Sequence, residues 1–217
     1  MKYEQMNNNR VFLTGKVESI PVFSHESFGE EFYEIMISVA RLSENHDLIP
    51  IIVSEKFLTN DKFALGSTVS IKGQFRSFNK LENEKSKLML SVFVRELADF
   101  DESMNPNIIE LCGYICKLPT YRTTPFNREI CDVLVAVNRA YNKSDYLPCI
   151  AWGRNAKYVS ELPVGAKVNI VGRIQSRPYQ KKLESGEIIS KVAYEVSINK
   201  VTEEKDSIEE SSIQEAN

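Results

Sequence analysis

The sequence predicts an all-β chain of two tandem five-stranded Greek-key barrels, each with a short helix between strands 3 and 4, ending in a short disordered acidic tail. Three observations predict it. The chain repeats itself, its apolar runs are short and rich in β-branched and aromatic residues, and one helical stretch recurs at the same place in each repeat.

Sliding the 217-residue sequence by 98 positions places Gly15 on Gly113, Pro21 on Pro119, Val39 on Val137, Arg41 on Arg139, Asp47 on Asp145, Pro50 on Pro148 and Ile52 on Ile150. A shift of 99 then places Gly66 on Gly165, Val69 on Val168, Ile71 on Ile170, Gly73 on Gly172 and Ser77 on Ser176, so one residue is inserted between the two blocks. Each copy is about 95 residues long, close to the usual size of a small domain. The expected organisation is a divergent first barrel over 1–100, a linker over 101–106 (DESMNP), a second barrel over 107–202 and the tail over 203–217.

In the second copy the expected strands are Ile108 to Leu118, Ile130 to Arg139, Tyr146 to Trp152, Lys167 to Tyr179 and Lys191 to Val201, each bounded by Pro, Gly, Asn or Asp. Asn155 to Leu162 reads as a helix, with Ala156, Val159 and Leu162 on one stripe and Gly165 as the stop signal. The first copy repeats the order, with Lys56 to Leu65 in the helix slot. Three strands, a short helix and two more strands is the order of an OB-fold, a small barrel that binds oligonucleotides. Two immunoglobulin-like sandwiches are the rival, but each would need about seven strands and no helix in mid-domain.

Charge and aromatic residues divide along the same boundary. The formal net charge of −3 is the sum of −4 over residues 1–106, +6 over 107–202 and −5 over 203–217. A basic second domain is therefore hidden in an acidic chain. Ten of the eleven Phe lie in the first copy, whereas seven of the nine Tyr and the only Trp lie in the second. Tyr and Trp join an apolar ring to a polar edge and suit wet binding surfaces, while Phe suits a core.

On the fourth strand of the second copy Val168, Ile170, Gly172 and Ile174 share one parity and are assigned to the barrel interior. Arg173, Gln175, Arg177 and Tyr179 share the other. On the third strand Tyr146, Trp152 and Arg154 share a parity with Pro148 and Ile150. One reading makes this set a stacking platform with cation–π and phosphate contacts; the other has Trp152 and Tyr146 fill the core while the arginines are solvated.

Enzymatic readings find little support. The two histidines, His25 and His46, stand in no metal-ligand spacing, and no paired acidic motif stands out. Cys112, Cys116, Cys131 and Cys149 lie in apolar, strand-like surroundings and are expected as reduced core thiols, a redox pair of Cys112 and Cys116 being the alternative. No cofactor and no metal site are expected. The N-terminal MKYEQMNNNR lacks the apolar core of a signal peptide and no apolar run reaches the length of a membrane span, so a cytoplasmic protein with no membrane partner is expected.

The second copy resembles the bacterial single-stranded DNA-binding proteins from Asn107 to about Val201, through LCGYICKLPTYRTTP, VAVNRAYNKSDYLPCIAWGRNAKYV, LPVGAKVNIVGRIQSRPYQ and YEVSINKV. The first copy matches only in its skeleton, RVFLTGKVESIP, MISVARL, LIPIIV and GSTVSIKGQFRSF. The resemblance implies non-enzymatic, sequence-tolerant binding that coats single strands in DNA replication, recombination or repair. Tyr141, Tyr146, Trp152 and Tyr179 stand where such proteins place base-stacking rings. Arg122, Arg139, Arg154, Arg173, Arg177, Lys181 and Lys182 match positions that are often basic. Opposite the four rings the first copy has Ser43, Leu48, Ser54 and Lys80, which leaves Arg41, Lys72, Arg76 and Phe78 as its weaker candidates.

The resemblance also implies assembly: relatives with one barrel per chain gather four, so this two-barrel chain is expected as a homodimer presenting four. The tail EEKDSIEESSIQEAN is acidic but lacks the apolar tip by which such proteins dock on replication and repair partners, which makes that recruitment doubtful. The competing function is an OB-fold protein-interaction scaffold or replication accessory with weak DNA binding.

Overall fold

The computed structural model describes residues 7–204 except 42, 59–60, 83–84, 102 and 184–185. Nearly all of the expected acidic tail therefore lies outside the described residues. The first copy runs β1 (Asn9–Val17), β2 (Val22–Ser27), β3 (Glu30–Ala40), β4 (His46–Ser54), α1 (Glu55–Leu58), a 3-10 turn (Asp61–Phe63), β5 (Thr68–Glu82) and β6 (Lys85–Ala98). The second repeats it as β7 (Asn107–Ile115), β8 (Thr120–Thr123), β9 (Glu129–Arg139), β10 (Lys143–Trp152), α2 (Arg154–Ser160), β11 (Lys167–Lys182) and β12 (Ile188–Glu203).

Each copy closes on itself. In the first, β1 pairs antiparallel with both β3 and β5, β3 with β4 and β5 with β6, and a short parallel ladder between β4 and β6 completes the ring. In the second, β7, β9, β10, β12 and β11 close in the same way. These are two OB-folds. Inward-facing side chains fill them: Leu13, Ile35, Ile37, Ile49, Ile51, Ile71 and Phe75 are fully buried in one, and Ile109, Val135, Leu147, Ile170, Ile174 and Val196 in the other.

Both barrels bend where a glycine meets a break in strand register, between Lys72 and Gly73 and between Val171 and Gly172. A Cβ on Gly172 would lie 2.3 Å from the Ser197 carbonyl oxygen, so the close approach of β11 to β12 excludes any side chain.

Three expectations are corrected. The short strands β2 and β8 were not anticipated; β2 is exposed along almost its whole length and β8 along all of it, so neither shows an alternating pattern. The helix expected from Lys56 to Leu65 is a single turn followed by the 3-10 turn, in keeping with the polar Thr-Asn-Asp run in its middle. Of the four cysteines only Cys131 and Cys149 are buried, whereas Cys112 and Cys116 are half-buried; all four are free thiols. No helix among the described residues is long and apolar enough to cross a membrane.

The two barrels join edge to edge. Strand β1 pairs antiparallel with β7 in the register Asn9↔Leu111, Val11↔Ile109, Leu13↔Asn107, which merges all twelve strands into one sheet from β2 to β8. Val11 and Ile109 are the residues equated by the 98-residue shift. A pseudo-two-fold axis therefore passes between them, and the repeats meet as two copies of one subunit would in an isologous dimer.

Candidate nucleic-acid interface

The outer surface of the second barrel carries the exposed rings. On β10, Leu147, Cys149 and Ala151 point inward and are buried, which turns Tyr146 and Trp152 outward at 48% and 38% exposure. Gly153, at φ +53, then turns the chain so that Arg154 opens α2 on the exposed side. Tyr141 stands on the three-residue turn between β9 and β10, 76% exposed, with positive φ at both Tyr141 and Asn142. Tyr179, Lys181 and Lys182 lie exposed on the long β11–β12 ribbon, where Tyr179 faces Lys191 across the ladder. Tyr146, Trp152 and Arg154 thus share one strand and its exit, Tyr141 lies at the opposite end of that strand, and the ribbon supplies the rest.

The other candidate arginines are held by carboxylates. Arg122 donates to Asp132 at 2.7 and 3.3 Å, and that hydrogen bond raises its pKa. Both side chains keep more than 40% exposure, so the pair contributes at most about 1 kcal/mol and opens readily to a phosphate. Arg177 is paired with the mostly buried Glu195 at 3.2 Å.

Arg41, Arg139, Arg173 and Arg76 meet at the junction between the barrels, a setting that a reading of either copy alone does not reveal. Asp47, with 1% of its side chain exposed, accepts from Arg41 Nε at 2.8 Å, from Arg173 Nη1 of the second barrel at 2.9 Å and from the Ser176 backbone N–H at 2.7 Å. The Asp47 hydrogen bond raises the Arg41 pKa, while burial lowers that of Arg173. The pseudo-symmetric mate, Asp145, accepts from the Ser77 N–H at 2.7 Å and faces Arg139 Nε at 3.4 Å without a hydrogen bond. Leu48 N–H donates to Ser176 Oγ on one side of the axis and Tyr146 N–H to Ser77 Oγ on the other. Burial depresses Arg76 to about 10, helped by repulsion from Arg95 and Arg139.

The first barrel shows a different surface. Ser54 is buried opposite Trp152's place, Leu48 is 43% exposed opposite Tyr146, Lys72 pairs with Glu96 at 2.9 Å and Phe78 is 43% exposed. Its rings gather elsewhere: Arg76 and Arg95 each lie 4.9 Å over the Phe93 ring, which packs against Phe32 at 5.3 Å. The sequence does not point to Phe93 and Arg95, because their counterparts in the second copy carry no ring or guanidinium that the repeat would highlight. Tyr121 and Phe126, 41% and 87% exposed beside Arg122, were missed because β8 is too short to show a pattern.

The sequence model described as the single-strand binding protein family matches residues 106–203. Single-stranded DNA-binding protein 1 of Staphylococcus aureus is 32% identical over 83 residues, which are 35% of this chain and 50% of that protein. Single-stranded DNA-binding protein 1 of Clostridium acetobutylicum is 36% identical over 84 residues, 34% of this chain and 74% of that protein. The chain spans about half the length of the staphylococcal relative. Among solved structures, the wild-type single-stranded DNA binding protein from Thermus aquaticus superposes with a TM-score of 0.68 at 16% identity, over 91% of this chain and 93% of that one. A deletion variant of the same protein gives 0.67. At that identity the likeness is one of fold, and it extends over both barrels.

Proposed function

Since this chain belongs to the single-strand binding protein family, we propose that it binds single-stranded DNA through its second barrel, without reading sequence and without catalysis. The observation that carries the reading is the outward turn of Tyr146 and Trp152 on β10 of the barrel whose net charge is +6. Bases stack on Tyr146, Trp152, Tyr141 and Tyr179, each ring contributing about 1–3 kcal/mol, because every base offers a flat face whatever its identity. Arg154, Lys181 and Lys182 follow the phosphates, and Arg122 joins them by releasing the surface carboxylate of Asp132, while the half-exposed Arg177 reaches a phosphate from its place on Glu195.

Arg41 and Arg173 serve chiefly to join the barrels, and Arg139 pairs with Asp145 beside them. The biological setting proposed is the coating of exposed strands in the cytoplasm during replication, recombination or repair. A homodimer presenting four barrels and contacts with replication or repair proteins belong to the same proposal.

The experiment is anisotropy of a labelled oligo-dT with the Trp152→Ala, Tyr179→Ala double variant. Loss of two stacks weakens binding by about 2–6 kcal/mol if the two add. Full affinity in the double variant moves the function to a protein-interaction scaffold or to the first barrel.

A further inference from the structure

The twelve-stranded sheet ends on β2 in the first barrel and on β8 in the second, and neither has an outer neighbour among the described residues. Such edges present unpaired N–H and C=O groups and usually carry devices that keep them from pairing. Here they carry apolar side chains. Ile20, Phe23 and Phe28 are 68%, 57% and 107% exposed, and the 98-residue shift places them on Leu118, Tyr121 and Phe126, exposed at 75%, 41% and 87%. A lone exposed apolar residue needs no explanation, but three matched pairs on the two free edges of one sheet mark an interaction surface. Phe28 also sits at φ +52 at the tip of its hairpin, in the left-handed region that bulky residues avoid, with its ring wholly in solvent.

The two edges keep the same shape and differ in charge. Residues 18–34 contain five glutamates and no lysine or arginine. The matching 116–132 contain Lys117, Arg122 and Arg128 against Glu129 and Asp132, and the shift sets Glu30 of the first hairpin on Arg128 of the second. Helix α2, beside β8 and β9, adds Arg154 and Lys157.

We propose that copies of this chain associate end to end, the acidic β2 hairpin of one chain meeting the basic β8 hairpin of the next. Two β2 hairpins repel, so the symmetric alternative is disfavoured, while unlike ends attract and their exposed apolar residues cover each other. Strand addition at the edges would continue the sheet from chain to chain. The contact is heterologous, and with a rotation that does not close it builds an open row. A row of this kind makes coating of a long strand cooperative. The contact does not depend on DNA, and it goes beyond the binding proposed for the second barrel.

The test is light scattering of the full chain at low and high ionic strength. The expected result is a mean mass that rises with concentration beyond that of a dimer at low salt and falls back as salt screens the charged ends. Two variants reverse one hairpin each: Glu18→Lys, Glu26→Lys, Glu34→Lys, which takes residues 18–34 from −5 to +1, and Lys117→Glu, Arg128→Glu, which takes residues 116–132 from +1 to −3. Either variant alone weakens association more than about tenfold, since like charges then face each other. Their equimolar mixture associates again, because each supplies the end that the other now fits. Three results would each overturn the proposal: a mass that stops at a closed dimer, variants that associate like the unaltered chain, or a mixture that fails to recover. In parallel, affinity for a dT oligomer too short for two chains stays unchanged in both variants; a loss there makes the hairpins DNA contacts and also overturns it. If no form of the protein binds dT, the function proposed above fails, while the scattering still decides the end-to-end contact.

Discussion

At the scale of single residues, the most constrained groups are the two aspartates at the junction. Asp47 is buried with a full set of donors from both barrels. Asp47→Ala leaves Arg41 and Arg173 facing each other and is expected to cost about 2–3 kcal/mol, read as a lower urea midpoint. The loss stays below that of a wholly buried pair because Arg41 and Arg173 keep 28% and 31% exposure and can reach water.

Asp145 is buried as deeply, but its Oδ2 has no hydrogen bond, and burial raises its pKa above the ordinary aspartate value of 3.8 despite Ser77, Arg139 and Arg76. A carboxyl raised on folding binds its proton more tightly in the native state. Its favourable contribution is therefore present below about 3.8 and is lost as pH rises through the folded value. Asp145→Asn is accordingly tolerated better at pH 7 than Asp47→Asn, and a carbon-detected NMR titration places Asp145 above the ordinary carboxylate. The roles of Arg41, Arg139 and Arg173 were only half legible in the sequence. Parity assigned Arg173 to an outer face, but what an outer face meets depends on how the copies pack. The one available signal was that Arg41 and Asp47 recur together as Arg139 and Asp145 while their neighbours diverge.

At the scale of elements, alternation made the five barrel strands of each copy legible, because one face of each is buried and a period of two then shows in the sequence. It could not reveal β2 or β8, which lie in solvent on both faces and owe their pairing to the neighbouring strands β3 and β9. The stripe Ala156, Val159, Leu162 marked the helix of the second copy correctly, since all three are buried against the barrel. The glycine at each strand bend was visible as a repeat, but its reason is the 2.3 Å approach of a facing carbonyl. Gly172→Ala must push β12 away and reopen the barrel seam. The expected loss is about 3 kcal/mol, at the upper end of common single-site effects, with the midpoint of chemical unfolding as the readout. Ala at exposed Gly186, where nothing lies within 4 Å, meets no such clash, so only its positive φ opposes the change.

At the scale of the whole molecule, the chain holds within itself a pair of barrels related by a pseudo-two-fold whose outer surfaces differ. The first barrel keeps the skeleton and the junction contacts, carries −4, and has lost the rings at the four positions where the second has Tyr141, Tyr146, Trp152 and Tyr179. The second is basic and displays those rings. The net charge of −3 averages over this division, and the junction leaves no mark that either copy alone could show. The central claim is that the exposed ring of Trp152 receives a base. As Trp152 is the only tryptophan, its fluorescence during a titration of the full chain with oligo-dT tests that claim most directly. The expected result is quenching that saturates at a defined stoichiometry and an affinity that falls with salt at a log–log slope of about −0.7 per phosphate contacted. Unchanged Trp152 emission through a titration that saturates binding at low salt would contradict it.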